Sequence, residues 1–466
     1  MARASLPLTT FRLSLLLLLG PTTLLGADAG PWPTWRGVDG TGTAPGADPP
    51  ITWSEDENVC WKVPVAGKGH ASPIVVGDRV FVLTAVPSRG QAPSAAADDE
   101  PAEGRRGVAA DHPLDFVVLA LARDDGRELW RRTAVSMQPH EGTHTDATWA
   151  SASPAADSER LYAFFGSRGL FVYSLDGELL WHRDFGDMRT RRGFGEGASP
   201  ALSSDLVLIN WDHEEDDSFL VALDKTTGEE RWRVARDEPT SWSTPLVLEG
   251  ATPPQVIVAA HNATRGYALA DGGLLWQLGG LTLNVVPTPV YGHGHVYVTS
   301  GFRGAALQAI RVAAAEGDLA GGEAVSWTRD ADTPYVPSPA LVGDQLYYLK
   351  VNNAILTSVD ASTGEVVYGP VRLDGVQGVY SSIVGADDRV YIVGRNGATA
   401  VLRHGEEFET LAVNQLDDSF ASSPALAGDQ IFLRGAEHLY CLGEAQASTP
   451  TPSTPAAAEA TEASAD

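Results

Sequence analysis

The sequence predicts an all-β protein, an eight-bladed β-propeller of four-stranded antiparallel blades, on three observations. First, a small hydroxyl residue followed by proline, an apolar run, a Gly/Asp turn and a second apolar run recurs along the chain. Second, a turn phrase interleaves with it: an apolar residue, Asp, a Gly-rich turn, an acidic residue and then an aromatic. Third, 48 Gly and 30 Pro among 466 residues demand many turns, while a hydrophobic content of 43% supplies a large core. Two β-sandwiches would not need one phrase to recur in one register.

The anchors are Ser72-Pro73, Ser153-Pro154, Ser199-Pro200, Thr244-Pro245, Thr288-Pro289, Ser338-Pro339, Ser381-Ser382-Ile383 and Ser423-Pro424. Measured at the second anchor residue, the intervals are 81, 46, 45, 44, 50, 44 and 41. The long interval contains a Pro/Ala/Asp-rich insert, residues 87–113, expected to be flexible. The fullest turn phrase runs from Leu223-Asp224 through Thr227-Gly228-Glu229 to Trp232; others end at Trp130, Trp181, Trp276, Trp327 and Tyr368. Each period thus holds four short apolar stretches, the content of one propeller blade.

The chain ends follow from the same count. Residues 1–29 read as a secretory signal: Arg3 and Arg12, the apolar run Leu13 to Leu19, and Ala27-Asp28-Ala29 before Gly30. Residues 30–52 form an N-terminal extension, 53–443 the propeller, and 444–466 an Ala/Thr/Pro/Glu tail too apolar-poor to fold. After the last anchor only the strands at Gln430–Leu433 and His438–Leu442 remain, one short of a blade. The strand Val59–Val63 precedes the first anchor, so it is expected to complete the last blade and leave no open edge. Laying the register of the fullest repeat onto that blade puts Cys60 opposite Cys441. The pair forms a disulfide on this reading; the alternative is two small thiols that merely touch.

The short, uniform turns after first and third strands share one face. The other face carries the variable loops, where binding residues gather. Residues just ahead of the anchors should line the axial channel: His70, Trp149, Glu196, Trp242, Asn284, Tyr335, Tyr380 and Phe420. Glu238, Asp332, Asp417 and Asp418 lie further out, with Lys68 and Arg303 as partners. Such an aromatic, acidic ring suits a cation or a polar small molecule, or else its members bond one another and plug the axis.

The phrase Leu-Asp-x-x-Thr-Gly-Glu-x-x-Trp at 223–232, echoed at Val359 to Glu365, resembles the tryptophan-docking repeat of the pyrroloquinoline-quinone (PQQ) repeat family. That family includes quinoprotein alcohol dehydrogenases and non-enzymatic, BamB-like members. In the BamB-like branch the resemblance implies an exported, periplasmic or extracellular scaffold, without cofactor, that binds a protein, peptide or glycan partner of the envelope as a monomer. In the dehydrogenase branch it implies PQQ and calcium, with Glu196, Asn284 and Asp332 in the metal and base roles and an alcohol or sugar as substrate. Adjacent cysteines and a C-x-x-C-H haem motif, which many such enzymes carry, are missing from this sequence.

Composition and motifs narrow the rest. With 33 Lys+Arg against 60 Asp+Glu, a net charge of −27 argues against nucleic acid as partner. His140-Glu141-Gly142-Thr143-His144 has the spacing of a zinc-protease motif, but Gly142, Thr143 and Pro139 place it in a loop. The acidic stretch 212–217 lacks the alternation of a calcium loop and reads as solvated.

Overall fold

The computed structural model describes residues 30–88 and 106–444. Residues 1–29, read above as a secretory signal, and the tail after Glu444 lie outside the described residues, as does most of the 87–113 insert. The described residues form eight sheets, each a blade in chain order. Blade 3 shows the pattern: Ala201–Leu202, Leu206–Trp211, Ser218–Asp224 and Glu230–Arg236, paired in sequence and antiparallel. Blade 4 departs from it, because Gly317–Asp318 joins its outer strand in parallel as a fifth member.

The last blade holds Ala425–Ala427, Gln430–Arg434 and His438–Leu442, and its fourth strand is Val59–Pro64. The two ends of the propeller are therefore joined by an antiparallel ladder, with Lys62 opposite Tyr440 and Val63 opposite Leu439. Closure of this kind removes the open edges that would otherwise pair with other chains.

The repeated phrases have a physical account. Asp224 Oδ1 accepts the backbone N–H groups of Thr226 and Thr227, which holds the turn. Gly228 follows with φ +73°, and a Cβ there would stand 2.6 Å from the Trp181 ring of the preceding blade. Trp181 Nε1 in turn donates to Lys225 O at 3.3 Å, and Trp61, Trp130, Trp232 and Trp327 make the equivalent bond to the next blade. The turn glycine thus answers two demands at once, left-handed backbone and contact with an indole.

The anchor hydroxyls form a belt around the axis. The N–H of Ser72 donates to Ser153 Oγ, Ser153 to Ser199, and Ser199 to Thr244. Past the Thr244–Thr288 junction, where Thr288 Oγ1 donates to Thr244 O instead, the series resumes through Ser338, Ser382 and Ser423. The N–H of Ser423 then donates to Ser72 Oγ at 2.8 Å, which completes the circuit. Proline after seven of the eight anchors, Ser382-Ile383 being the exception, keeps the anchor residue extended, so its N–H is free to point at the next blade.

Register corrects the cysteine expectation. An unbroken antiparallel ladder would place Ala222 opposite Arg231 and Val221 opposite Trp232. Instead Ala222 faces Trp232 and Val221 faces Arg233, because Arg231 sits in a β-bulge. The same irregularity precedes the aromatic in other blades, including blades 1, 2, 4 and 5. An extra residue increases local twist and re-aims the side chain that follows it, which swings the Trp toward its neighbour. In the last blade Trp61, not Cys60, faces Cys441, and Cys60 occupies the bulge. Both cysteines are free thiols, Cys60 exposed and Cys441 buried, in hydrogen-bond contact rather than a disulfide.

The N-terminal extension crosses the face opposite the variable loops. Trp32 pairs with Val75 of blade 1, Pro33 O accepts Ala156 N of blade 2, and Thr43 bridges to Gly385 of blade 7. At its centre Arg36 is buried, donating to Ile383 O, Pro339 O and Thr41 O. Desolvation lowers its pKa to about 9. Trp35 beside it donates to Ser423 Oγ on the belt at 3.1 Å. This segment thus packs against the axial ends of blades 6, 7, 8, 1 and 2, and its Trp35 also lines a pocket on the axis.

Candidate functional site

The pocket is a cavity of about 520 Å³, within the range that holds a small ligand. The loops that lead into the first strands supply most of its wall, with the turns after second strands adding Phe302 and Arg303. Trp35 and the belt residues Ser72, Ser153, Ser199 and Ser423 also line it. Aromatic groups surround it: Phe194, Trp242, Phe302, Tyr335 and Tyr380. Trp242 is fixed by donation to Gly195 O at 2.7 Å, and Tyr335 by a stack on Phe302 with centroids 5.0 Å apart.

Seven of the sequence-selected residues line this cavity: His70, Glu196, Trp242, Asn284, Arg303, Tyr335 and Tyr380. Trp149 turns into an adjoining crevice and donates to Glu141 O at 3.0 Å. Glu238 is buried elsewhere, accepting Asn262 N and Ala263 N and pairing with Arg265, a latch between blades 3 and 4. Asp332 pairs with Lys350 at 2.7 Å and does not line the cavity. The Asp418 carboxylate, 2% exposed, caps the turn at Ala436, Glu437 and His438 through their backbone N–H groups. Phe420 packs on Tyr440, Lys68 is exposed, and Asp417 N bonds Glu55 Oε1. Glu238, Asp332 and Asp418 thus answer backbone or cationic partners of their own, which leaves the acidic ring incomplete.

Sequence reasoning missed the arginines. Arg106, Arg191 and Arg192 line the cavity together with Arg303. Arg106 belongs to the return limb of the long insert, where the N–H groups of Arg106 and Gly107 donate to Arg192 O and Val108 bridges to Thr143. The available signal was Arg191-Arg192-Gly193-Phe194-Gly195-Glu196-Gly197, a paired cation among three glycines just ahead of an anchor.

The two lining carboxylates are already committed. Asp146 accepts Arg395 Nη1 at 2.7 Å and Tyr380 OH at 3.2 Å, a clasp from the loop after blade 1 to blade 7. Burial, with help from Arg395, lowers the His70 pKa to about 4, so His70 is neutral at pH 7. Glu196 accepts Ser167 N at 2.6 Å and Ser167 Oγ at 2.7 Å, and the buried Arg168 guanidinium lies 3.7 Å away. Burial outweighs those contacts and lifts the Glu196 pKa to about 7.

This donor set does not fit a calcium ion. A calcium site collects six to eight oxygens, several of them charged. Here Glu196 faces a guanidinium and two Ser167 donors, Asp332 is outside the cavity, and among the described lining residues Asn284 Oδ1 is the one buried side-chain oxygen without a partner. Among the described residues no group of three or more His, Cys, Asp or Glu is arranged to hold a metal. His140 and His144 lie outside any helix, with His140 contacting Met188 O and Arg168, so the zinc-protease spacing is a loop accident. Asp212 of the acidic stretch is not solvated but fully buried against Arg236 at 2.7 Å.

Comparison with known proteins agrees with the fold. The family model described as outer membrane protein assembly factor BamB matches residues 46–209 and 171–312. BamB from Moraxella catarrhalis superimposes with a TM-score of 0.51 at 11% identity, over 78% of this chain and 98% of that one. Quinohemoprotein alcohol dehydrogenase ADHIIG from Pseudomonas putida HK5 gives 0.55 at 10% identity, over 91% and 82%. At such identities the likeness is one of fold. A comparison with the curated proteins gives no match. Matched over more than half its length and folded as eight docked blades, the chain belongs to the BamB family of PQQ-repeat β-propellers.

Proposed function

We propose that the chain is an exported, non-catalytic binding propeller that takes a protein, peptide or glycan partner of the cell envelope on its variable-loop face. The observation that carries this reading is the Glu196 environment: its carboxylate oxygens are already taken up by Ser167 and lie beside Arg168, which supports a role other than calcium ligand or catalytic base. The position of Asp332, tied to Lys350, supports it. Export accords with the signal-like first 29 residues and with the family's description. No helix among the described residues is long and apolar enough to cross a membrane.

The competing reading is a PQQ- and calcium-dependent dehydrogenase. Titrating the protein with PQQ and calcium, followed by a dye-reduction assay on alcohols and sugars, separates the two. The expected result is no substrate-dependent reduction. Turnover that is lost in Glu196→Gln would overturn the non-catalytic assignment.

A further inference from the structure

The charge of the axial cavity runs against the rest of the molecule. The chain carries 60 acidic and 33 basic residues, yet four arginines meet at this one cavity: Arg106, Arg191, Arg192 and Arg303. Its two carboxylates are each served by another cation, Asp146 by Arg395 and Glu196 by Arg168. None of the four lining guanidinium groups has a carboxylate partner among the described residues. Arg192 and Arg303 are also held in left-handed backbone, at φ 57° and 55°, as is Asn284 at φ 56°. Strained backbone of this kind persists where surrounding structure enforces it and clusters at ligand sites. For Arg192 the enforcing contacts are visible, since its carbonyl accepts two N–H groups from the insert's return limb.

The uncharged lining specifies more. Ser72, Ser153, Ser199 and Ser423 each accept a belt N–H, and their hydroxyl protons have no acceptor among the described residues. Asn284 Oδ1 is buried without a donor. The floor therefore offers a row of hydroxyl donors and one amide acceptor beneath aromatic walls. Guanidinium forks match carboxylates, and unpaired buried polar groups favour a ligand that is itself hydroxylated.

We propose that this cavity binds an acidic sugar, one or two hydroxylated rings bearing carboxylates, and does so without a divalent cation. The carboxylates meet the arginines at the mouth, the ring hydroxyls meet the serines and Asn284, and Trp35 and Trp242 flank the rings. The proposal rests on the non-catalytic reading of the same cavity and names the chemistry of its partner.

Calorimetric titration in EDTA tests it, with digalacturonate as probe, its dimethyl ester and cellobiose as neutral controls, and naphthalene-2,6-dicarboxylate as a non-sugar dianion. The expected result is saturable binding of digalacturonate, at least tenfold tighter than the other three. Arg191→Gln/Arg192→Gln and Arg303→Gln should each weaken it at least tenfold, while Arg233→Gln on an outer strand leaves it unchanged. Affinity should also fall steeply with salt. Equal binding of the ester or of the naphthalene dianion, binding that needs calcium, or no binding of digalacturonate would each overturn the acidic-sugar site. Failure here leaves the non-catalytic reading intact, whereas PQQ-dependent dye reduction would remove that reading whatever the sugar does.

Discussion

The backbone N–H of Ser423 donates to the hydroxyl of Ser72 at 2.8 Å, across 351 residues of sequence. It is the last link of the belt, and like the others it is buried. Replacing Ser72 by Ala leaves that N–H without a partner, which costs about 1–3 kcal/mol. Urea denaturation should show a lower midpoint with an unchanged slope. The same substitution at Ser153 should cost a similar amount, because the N–H of Ser72 makes the same buried bond to the Ser153 hydroxyl at 2.9 Å.

Ring closure gives a larger effect. A chain lacking residues 30–62 loses the outer strand of the last blade together with the contacts that Trp32, Trp35 and Arg36 provide. It is expected to fold poorly, with early, broad melting followed by circular dichroism. Melting equal to that of the parent would contradict the closure described here.

Two glycines separate the demands of the turn. Gly77 has φ +57° and open space within 4 Å of where a Cβ would stand, whereas Gly228 has φ +73° and Trp181 at 2.6 Å. Gly77→Ala therefore carries only the left-handed penalty, about 1–2 kcal/mol. Gly228→Ala adds overpacking against the indole, about 1–3 kcal/mol more. Thermal melts of the two variants should rank in that order.

The thiols should behave unequally. Hydrogen bonding from Cys441 leads the causes that lower the Cys60 pKa to about 7, while Cys60 and burial raise that of Cys441. Iodoacetamide at pH 7.5 is expected to label Cys60 in the folded protein and to reach Cys441 only on unfolding. Peptide mapping by mass spectrometry reads the order directly.

Glu196 makes stability depend on pH in an uncommon direction. Its pKa rises from 4.5 unfolded to about 7 folded, so between these values the folded state holds the extra proton. Stability from this group is full below pH 4.5 and is lost as pH climbs through 7, by roughly 2–3 kcal/mol. His70, lowered from 6.5 to about 4, acts oppositely: its contribution is present above pH 6.5 and lost as pH falls toward 4. Comparing parent and Glu196→Gln stability from pH 5 to 8 should show the gap between them shift in the variant's favour as pH rises.

The architecture was legible because each blade needs an anchor and most need the turn: a hydroxyl residue, followed by Pro in seven blades, recurs eight times, and variants of the turn phrase, complete at Asp224–Glu229 and Asp360–Glu365, recur between the anchors. The bulge was not, since Arg231, Leu129 and Cys60 share no side-chain chemistry and only the aromatic after them reveals the shift. Part of the pocket followed from position, as with His70, Glu196, Trp242 and Asn284 ahead of their anchors. Its charge did not. Arg106 arrives from a 27-residue insert by backbone pairing with Arg192, and Arg36 and Trp35 come from a segment that carries no repeat. The acidic residues counted into the ring were drawn off by local partners, such as Lys350 on Asp332 and the turn N–H groups on Asp418.

Calcium alone, titrated into metal-free protein by isothermal calorimetry, tests most directly whether the pocket is built for anions. An arginine-lined cavity whose glutamate already faces Arg168 predicts no heat of one-to-one binding up to millimolar calcium. A stoichiometric calcium site that disappears in Glu196→Gln or Asn284→Ala would contradict it.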